Sequence, residues 1–223
     1  SSNRNGMTAS IEKRAPAAGG PMRLVNRVTN LYETTPVSES IGSVYRTVQK
    51  QSEQESWELN NWADPGTKLP STRTDMTGWD SFGNVGTVVV TTYDGPSGGA
   101  GHVKTTVNNY VNETTQWLLG RLTASMVTSQ APADPATSVR KSEFSYYCLP
   151  GPDCGVDPPS ARGQLRSETI EPDCYNAAGG CIDRSQGQRT SYTYDAFGNK
   201  SSSLVQFYEG STLKQREARV TYD

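Results

Sequence analysis

A six-residue pattern occurs twice in this chain. Trp79-Asp80-Ser81-Phe82-Gly83-Asn84 and Tyr194-Asp195-Ala196-Phe197-Gly198-Asn199 both read aromatic-Asp-x-Phe-Gly-Asn. Tyr222-Asp223 opens a further copy at the end of the sequence, and Tyr93-Asp94 is a partial one. Each residue type has a physical task in a strand-turn-strand unit. The aromatic side chain ends a strand and offers a flat face for packing. The Asp carboxylate accepts hydrogen bonds from amides two or three residues on and closes an Asx-type turn. Gly supplies the positive φ that a Cβ resists, and Asn tolerates the same region. The Phe is expected to fold back beneath its own turn. Hairpins of this kind, joined in series, make a continuous sheet.

The rest of the chain agrees with that plan. Short strand-like stretches lie at 22–29, 43–49, 85–93, 102–111, 117–128, 139–147, 164–171, 188–194, 204–208 and 213–222. Several alternate with period two, and Val88-Val89-Val90-Thr91-Thr92-Tyr93 is the strongest of them. Gly, Pro and Asp clusters such as Asp94-Gly95-Pro96 and Ala131-Pro132 separate them. No amphipathic helix is expected, because even 50–57 has Gln and Ser where apolar residues are needed. Residues 1–21 read as a linker or N-terminal arm, and 22–223 as the β-repeat region. A second element recurs as Gly120-Arg121-Leu122-Thr123 and Gly163-Gln164-Leu165-Arg166, each expected to start a strand. The fold expected is all-β: antiparallel hairpins in one continuous curved or spiral sheet. The polar opening and the lack of an initial Met lead to the expectation of a piece of a longer protein.

The Tyr194–Asn199 motif, with Tyr110 and the Trp117-Leu118-Leu119-Gly120-Arg121-Leu122 stretch, resembles the RHS/YD-repeat family. The second stretch is similar to the repeat regions of toxin-complex B-type components and plasmid-virulence-type secreted proteins. The resemblance covers roughly residues 75–223. It implies a secreted or cell-surface bacterial protein in which the repeats wind into a β-sheet spiral, often a hollow shell. The implied function is a non-catalytic scaffold or shell segment of a polymorphic toxin or toxin complex. Its implied partners are the remainder of the parent repeat protein and an encapsulated toxin domain. The copies here are irregularly spaced, with Asp80 and Asp195 115 positions apart and Asp195 and Asp223 28 apart. Some members of the family cleave themselves at an aspartic site marked by Asp-Pro-x-Gly. Asp64-Pro65-Gly66-Thr67, Asp134-Pro135-Ala136-Thr137 and Asp157-Pro158-Pro159-Ser160 all lack Gly in fourth place and read as loop turns.

Composition narrows the function classes. The 21 basic and 23 acidic residues are interspersed and the net charge is −2. No basic stripe exists to neutralise phosphates, which argues against nucleic acid and against an anionic membrane surface. No apolar run approaches a membrane-spanning helix. Hydrophobic residues make up 33%, with 11 Tyr and 4 Trp, which suits thin sheets with a wet face. Cys148/Cys154 and Cys174/Cys181 sit as two close pairs around turn-forming stretches, at 148–154 and 174–181. They read as local disulfides pinning loop insertions in an oxidising compartment. Crossed bridges, free thiols or a four-Cys zinc site are the alternatives, and zinc usually takes closer ligand spacing.

No hydrolase, phosphate-loop or zinc-protease motif occurs. The single histidine, His102, follows Ala100-Gly101 and reads as a surface residue in a Gly-rich loop. Trp57 and Trp62 lie in a polar stretch and are the candidates for ligand stacking. No catalytic residue, metal or cofactor is expected. A carbohydrate- or protein-binding adhesion module and a hydrolase without a recognisable motif are the alternative functions.

Overall fold

The computed structural model describes residues 6–16, 20–38, 44–59, 64–95, 99, 101–132, 134, 136–147, 161–176 and 180–222. The protein is all-β, with 67% of residues in strands. Twelve strands form one antiparallel sheet that is not closed, and each pairs with the next in sequence order. They are β1 Ser10–Pro16, β2 Met22–Ser38, β3 Val44–Ser56, β4 Ser71–Trp79, β5 Val85–Tyr93 and β6 His102–Glu113, followed by β7 Leu118–Gln130, β8 Thr137–Tyr146, β9 Leu165–Ile170, β10 Gln188–Tyr194, β11 Lys200–Glu209 and β12 Thr212–Arg219. Among the described residues the only α-helix is the four-residue α1, Pro172–Tyr175. Among the described residues no helix is long and apolar enough to cross a membrane.

Two strands escape the sequence reading. β1 lies within the stretch read as an arm, yet Ser10–Pro16 pairs along its length with β2 from Thr29 to Met22. Glu12 holds it there through an ion pair to Arg27 of β2. β4, Ser-Thr-Arg-Thr-Asp-Met-Thr-Gly-Trp, has almost no apolar alternation but pairs on both sides, with β3 and β5. Its Thr residues suit a pleated surface, and neighbours supply the pairing that its own pattern does not advertise.

The chain falls into two compact units, Ser1–Thr106 with Thr128–Ser138, and Val107–Val127 with Val139–Asp223. In the first, Leu24 is 2% exposed and Trp57 8%, with Arg23 and Ser71 also buried. The Arg27 guanidinium lies 5.6 Å from the Trp57 ring centre. Met76 stands opposite Val88, and polar pairs join other strands. Thr34 and Thr47, directly opposed in the register, pair their hydroxyls at 3.1 Å. Asn26 donates to the hydroxyl of its partner Ser56 at 3.0 Å.

In the second unit a small loop covers one sheet face. The Cys174–Cys181 disulfide closes it. Tyr175 donates its hydroxyl proton to Gln206 and sets its ring edge-on to Tyr208. Arg184 lies 3.7 Å over the Tyr208 ring. Beneath the loop, Ser167 and Thr169 are buried. The loop returns through Gly187, where a Cβ would stand 2.3 Å from the Tyr175 nitrogen, so only glycine allows so close a backbone approach. The other face of β10 and β11 carries Tyr192, Tyr194, Val205 and Phe207, as the register requires. Lys200 and Arg216 hold their charged ends over the Tyr192 and Phe207 rings. The second cysteine pair, Cys148 and Cys154, lies outside the described residues.

Replacing Gly187 by Ala is expected to cost roughly 1–3 kcal/mol in urea melts, the usual penalty of forced overpacking. Replacing both Cys174 and Cys181 by Ala is expected to cost about 2 kcal/mol, since the loop it closes is short.

Candidate functional site

The two copies of the sequence motif build the same turn. Trp79 and Tyr194 are the last residues of β4 and β10. The Asp80 carboxylate accepts from the amides of Phe82 and Asn84, both at 2.9 Å, and from the Asn84 side chain at 2.8 Å. Asp195 accepts from the amides of Phe197 at 2.9 Å and Asn199 at 2.8 Å, and from the Asn199 side chain at 3.1 Å. In each, the Asp amide donates to the Asn carbonyl and the Gly amide to the Asp carbonyl. Gly83 and Gly198 take φ of 91° and 85°. The Asn of the motif is thus a second clamp on the carboxylate. Its amide, four residues on, takes the place expected for the third.

One expectation fails at both turns. Phe82 and Phe197 do not fold beneath them; they are 42% and 89% exposed. The network of five hydrogen bonds fills the concave side of the turn, and the ring is left outside. Around the second copy an open hollow of about 710 Å³ is lined by Phe197, Val220 and Tyr222. Tyr222 donates to the carbonyl of Lys200 at 3.2 Å, as Tyr194 donates to Leu165 at 2.8 Å. The aromatic of the third, partial copy therefore plays the same bridging part, while Asp223 lies outside the described residues. Trp79 has no hydroxyl, and its indole nitrogen is buried without a partner.

Carboxylates also close turns that carry no such motif. Glu113, at the end of β6, accepts from Thr115 at 2.9 Å and from Gln116. Asp183 accepts from Ser185 at 2.9 Å, and Asp134 from Ala136 at 2.8 Å. Sequence reasoning missed Glu113 and Asp183 because neither is followed by Gly-Asn; the only signal was an acid at the end of a strand or before a Ser-rich turn. At Asp195 and Glu113 desolvation pushes the carboxyl up, but the donated hydrogen bonds outweigh it and hold the group below its ordinary value. Asp183 is held down by its bonds from Ser185 and Gln186.

The other candidates are dispersed. Trp57 is buried under Arg27 and so lacks the free face that ligand stacking needs; Trp62 lies outside the described residues. His102 begins β6 instead of sitting in a loop, 3.8 Å from Asp94, with both side chains 61% exposed. Gly120 and Gly163 share a positive φ, at 67° and 72°, but Gly120 is the third residue of β7 and Gly163 precedes β9. Among the described residues no group of three or more His, Cys, Asp or Glu gathers as a metal site.

No family model matches the chain, and no curated protein matches it. Among solved structures it is similar to a porin-like protein from Bacteroides uniformis, at 12% identity, covering 92% of this chain and 86% of that one. The TM-score of 0.24 is too low to define a common fold.

Gly198→Val is expected to cost roughly 1–3 kcal/mol, because a β-branched residue resists this φ. Phe197→Ala is expected to change stability by less than about 0.5 kcal/mol, as exposed positions usually do. Denaturant melts separate the two. Acid gives a second check. Carboxyls held below their ordinary values of 3.8 for Asp and 4.5 for Glu stabilise the fold fully above those values, and that contribution is lost as pH falls through the folded-state ones. The urea midpoint is expected to hold from pH 7 to about 5 and to fall below about 4, with a smaller fall in Asp195→Asn.

Proposed function

We propose that the chain is a non-catalytic structural segment of a secreted RHS/YD-repeat protein of the polymorphic-toxin or toxin-complex kind. Its task is to continue a repeat sheet that joins the remainder of the parent protein and encloses or presents a toxin domain. The observation that carries the reading is the repeat of one turn, hydrogen bond for hydrogen bond, at Asp80 and Asp195. A turn rebuilt at separate places in a meander is a device for extending a sheet. The exposed Phe197, Val220 and Tyr222 beside the second turn and the outer strand β12 give a further unit both apolar contact and unpaired backbone.

The test is to express the segment alone and inside its full reading frame, and to follow amide exchange in β12 while assaying glycoside, ester and peptide substrates. The reading expects β12 amides to become protected in the longer protein and no substrate to turn over. Unchanged β12 exchange, or turnover abolished by a single side-chain substitution, overturns it.

A further inference from the structure

On the loop-bearing face of the second unit lies an open cavity of about 310 Å³. Its floor and walls come from one row across three strands. Glu143 of β8 stands opposite Thr169 of β9, and Thr169 stands opposite Arg189 of β10. A second row sets Ser145 opposite Ser167, their hydroxyls 2.7 Å apart. Asn176, from the disulfide-closed loop, Phe144, and Thr123 and Ala124 of β7 complete the lining. The floor is polar and buried, with Ser167 4% and Thr169 9% exposed. Arg189 is poorly satisfied there. Its Nε is buried with no partner, and the bond it donates, to Ser167, is 3.4 Å long.

That nitrogen is closed to solvent and so to a ligand, but the two terminal nitrogens of a guanidinium can also grip a planar carboxylate with parallel bonds. Strands lie about 4.8 Å apart, so Glu143 and Arg189 rise from backbones roughly 10 Å apart. That gap takes one six-membered ring. A carboxylate on such a ring reaches Arg189 while ring hydroxyls donate to Glu143 and exchange bonds with Thr169, Ser167 and Asn176. A doubly charged phosphate or sulfate fits less well, because among the described residues Arg189 is the only cation lining the cavity and Glu143 faces it. We infer that this cavity is a binding site for a monosaccharide acid of the hexuronate class. The inference does not depend on the scaffold reading.

The experiment is a titration of the whole chain with D-glucuronate, followed by amide chemical shifts and calorimetry up to about 50 mM, with binding expected in the millimolar range. Arg189→Gln and Thr169→Val are each expected to weaken binding at least about fivefold, the factor a lost buried hydrogen bond carries. Arg189→Lys keeps the charge but not the fork and is expected to fall between wild type and Arg189→Gln. Arg216→Gln, whose side chain lies over Phe207 on the opposite face, is expected to bind as wild type. Thermal melts confirm which variants are folded, and Thr169→Val decides the matter if Arg189→Gln is not. Glucose and acetate, each carrying half of the recognised chemistry, are expected to bind at least about tenfold more weakly. No binding of glucuronate by the wild-type chain overturns the inference. So do equal binding by folded Arg189→Gln or Thr169→Val, and equal affinity for glucose, acetate or sulfate.

Discussion

The fold depends on carboxylates that accept the amides of the turn that follows them. Asp80 and Asp195 do this with two backbone bonds and a side-chain clamp each. Glu113, Asp134 and Asp183 do it with fewer. A meander reverses direction after every strand, and each reversal leaves backbone donors without a ladder partner. An acid placed at the reversal satisfies them locally. The β4–β5 and β10–β11 hairpins thus carry their own closure and need little from distant parts of the chain.

That local closure explains how so lean a chain forms so much sheet. Among the described residues only Leu24, Trp57, Ala161, Pro172 and Cys174 are buried apolar side chains. Thr34–Thr47, Asn26–Ser56 and Ser145–Ser167 pairs replace aliphatic contacts across the strands. Tyrosines do the longer work, reaching with their hydroxyls to backbone carbonyls of other strands, as Tyr146 does to Leu122 and Tyr147 to Tyr192. Where a face is covered, a disulfide-bonded loop does it, and Gly187 lets the loop lie against backbone. The open polar cavity beside that loop follows from the same economy, since hydroxyls and a guanidinium occupy places that aliphatic side chains fill in thicker sheets.

Much of the fold was legible in the sequence. β5 and β10 match the expected bounds, because Val88-Val89-Val90 and the Tyr/Thr alternation state their period openly. The positive φ at Gly83 and Gly198 followed from residue type alone. β1 and β4 were hidden, since their pairing is fixed by neighbours and not by an apolar rhythm of their own. The exposure of Phe82 and Phe197 was not legible either. A hydrophobic residue in a turn suggests burial, and only the full hydrogen-bond set shows that the inside of the turn is already occupied. The Glu143–Thr169–Arg189 row was out of reach for a different reason: it depends on register across three strands, and a single sequence does not state register.

The most direct test of this account is amide exchange at the two motif turns, measured by NMR in the wild-type chain and in Asp195→Asn. The account predicts that Phe197 and Asn199 lose protection while Phe82 and Asn84, closed by their own Asp80, keep it. Unchanged protection at Phe197 and Asn199 would show that the sheet, and not the carboxylate, holds the turn, and would contradict it.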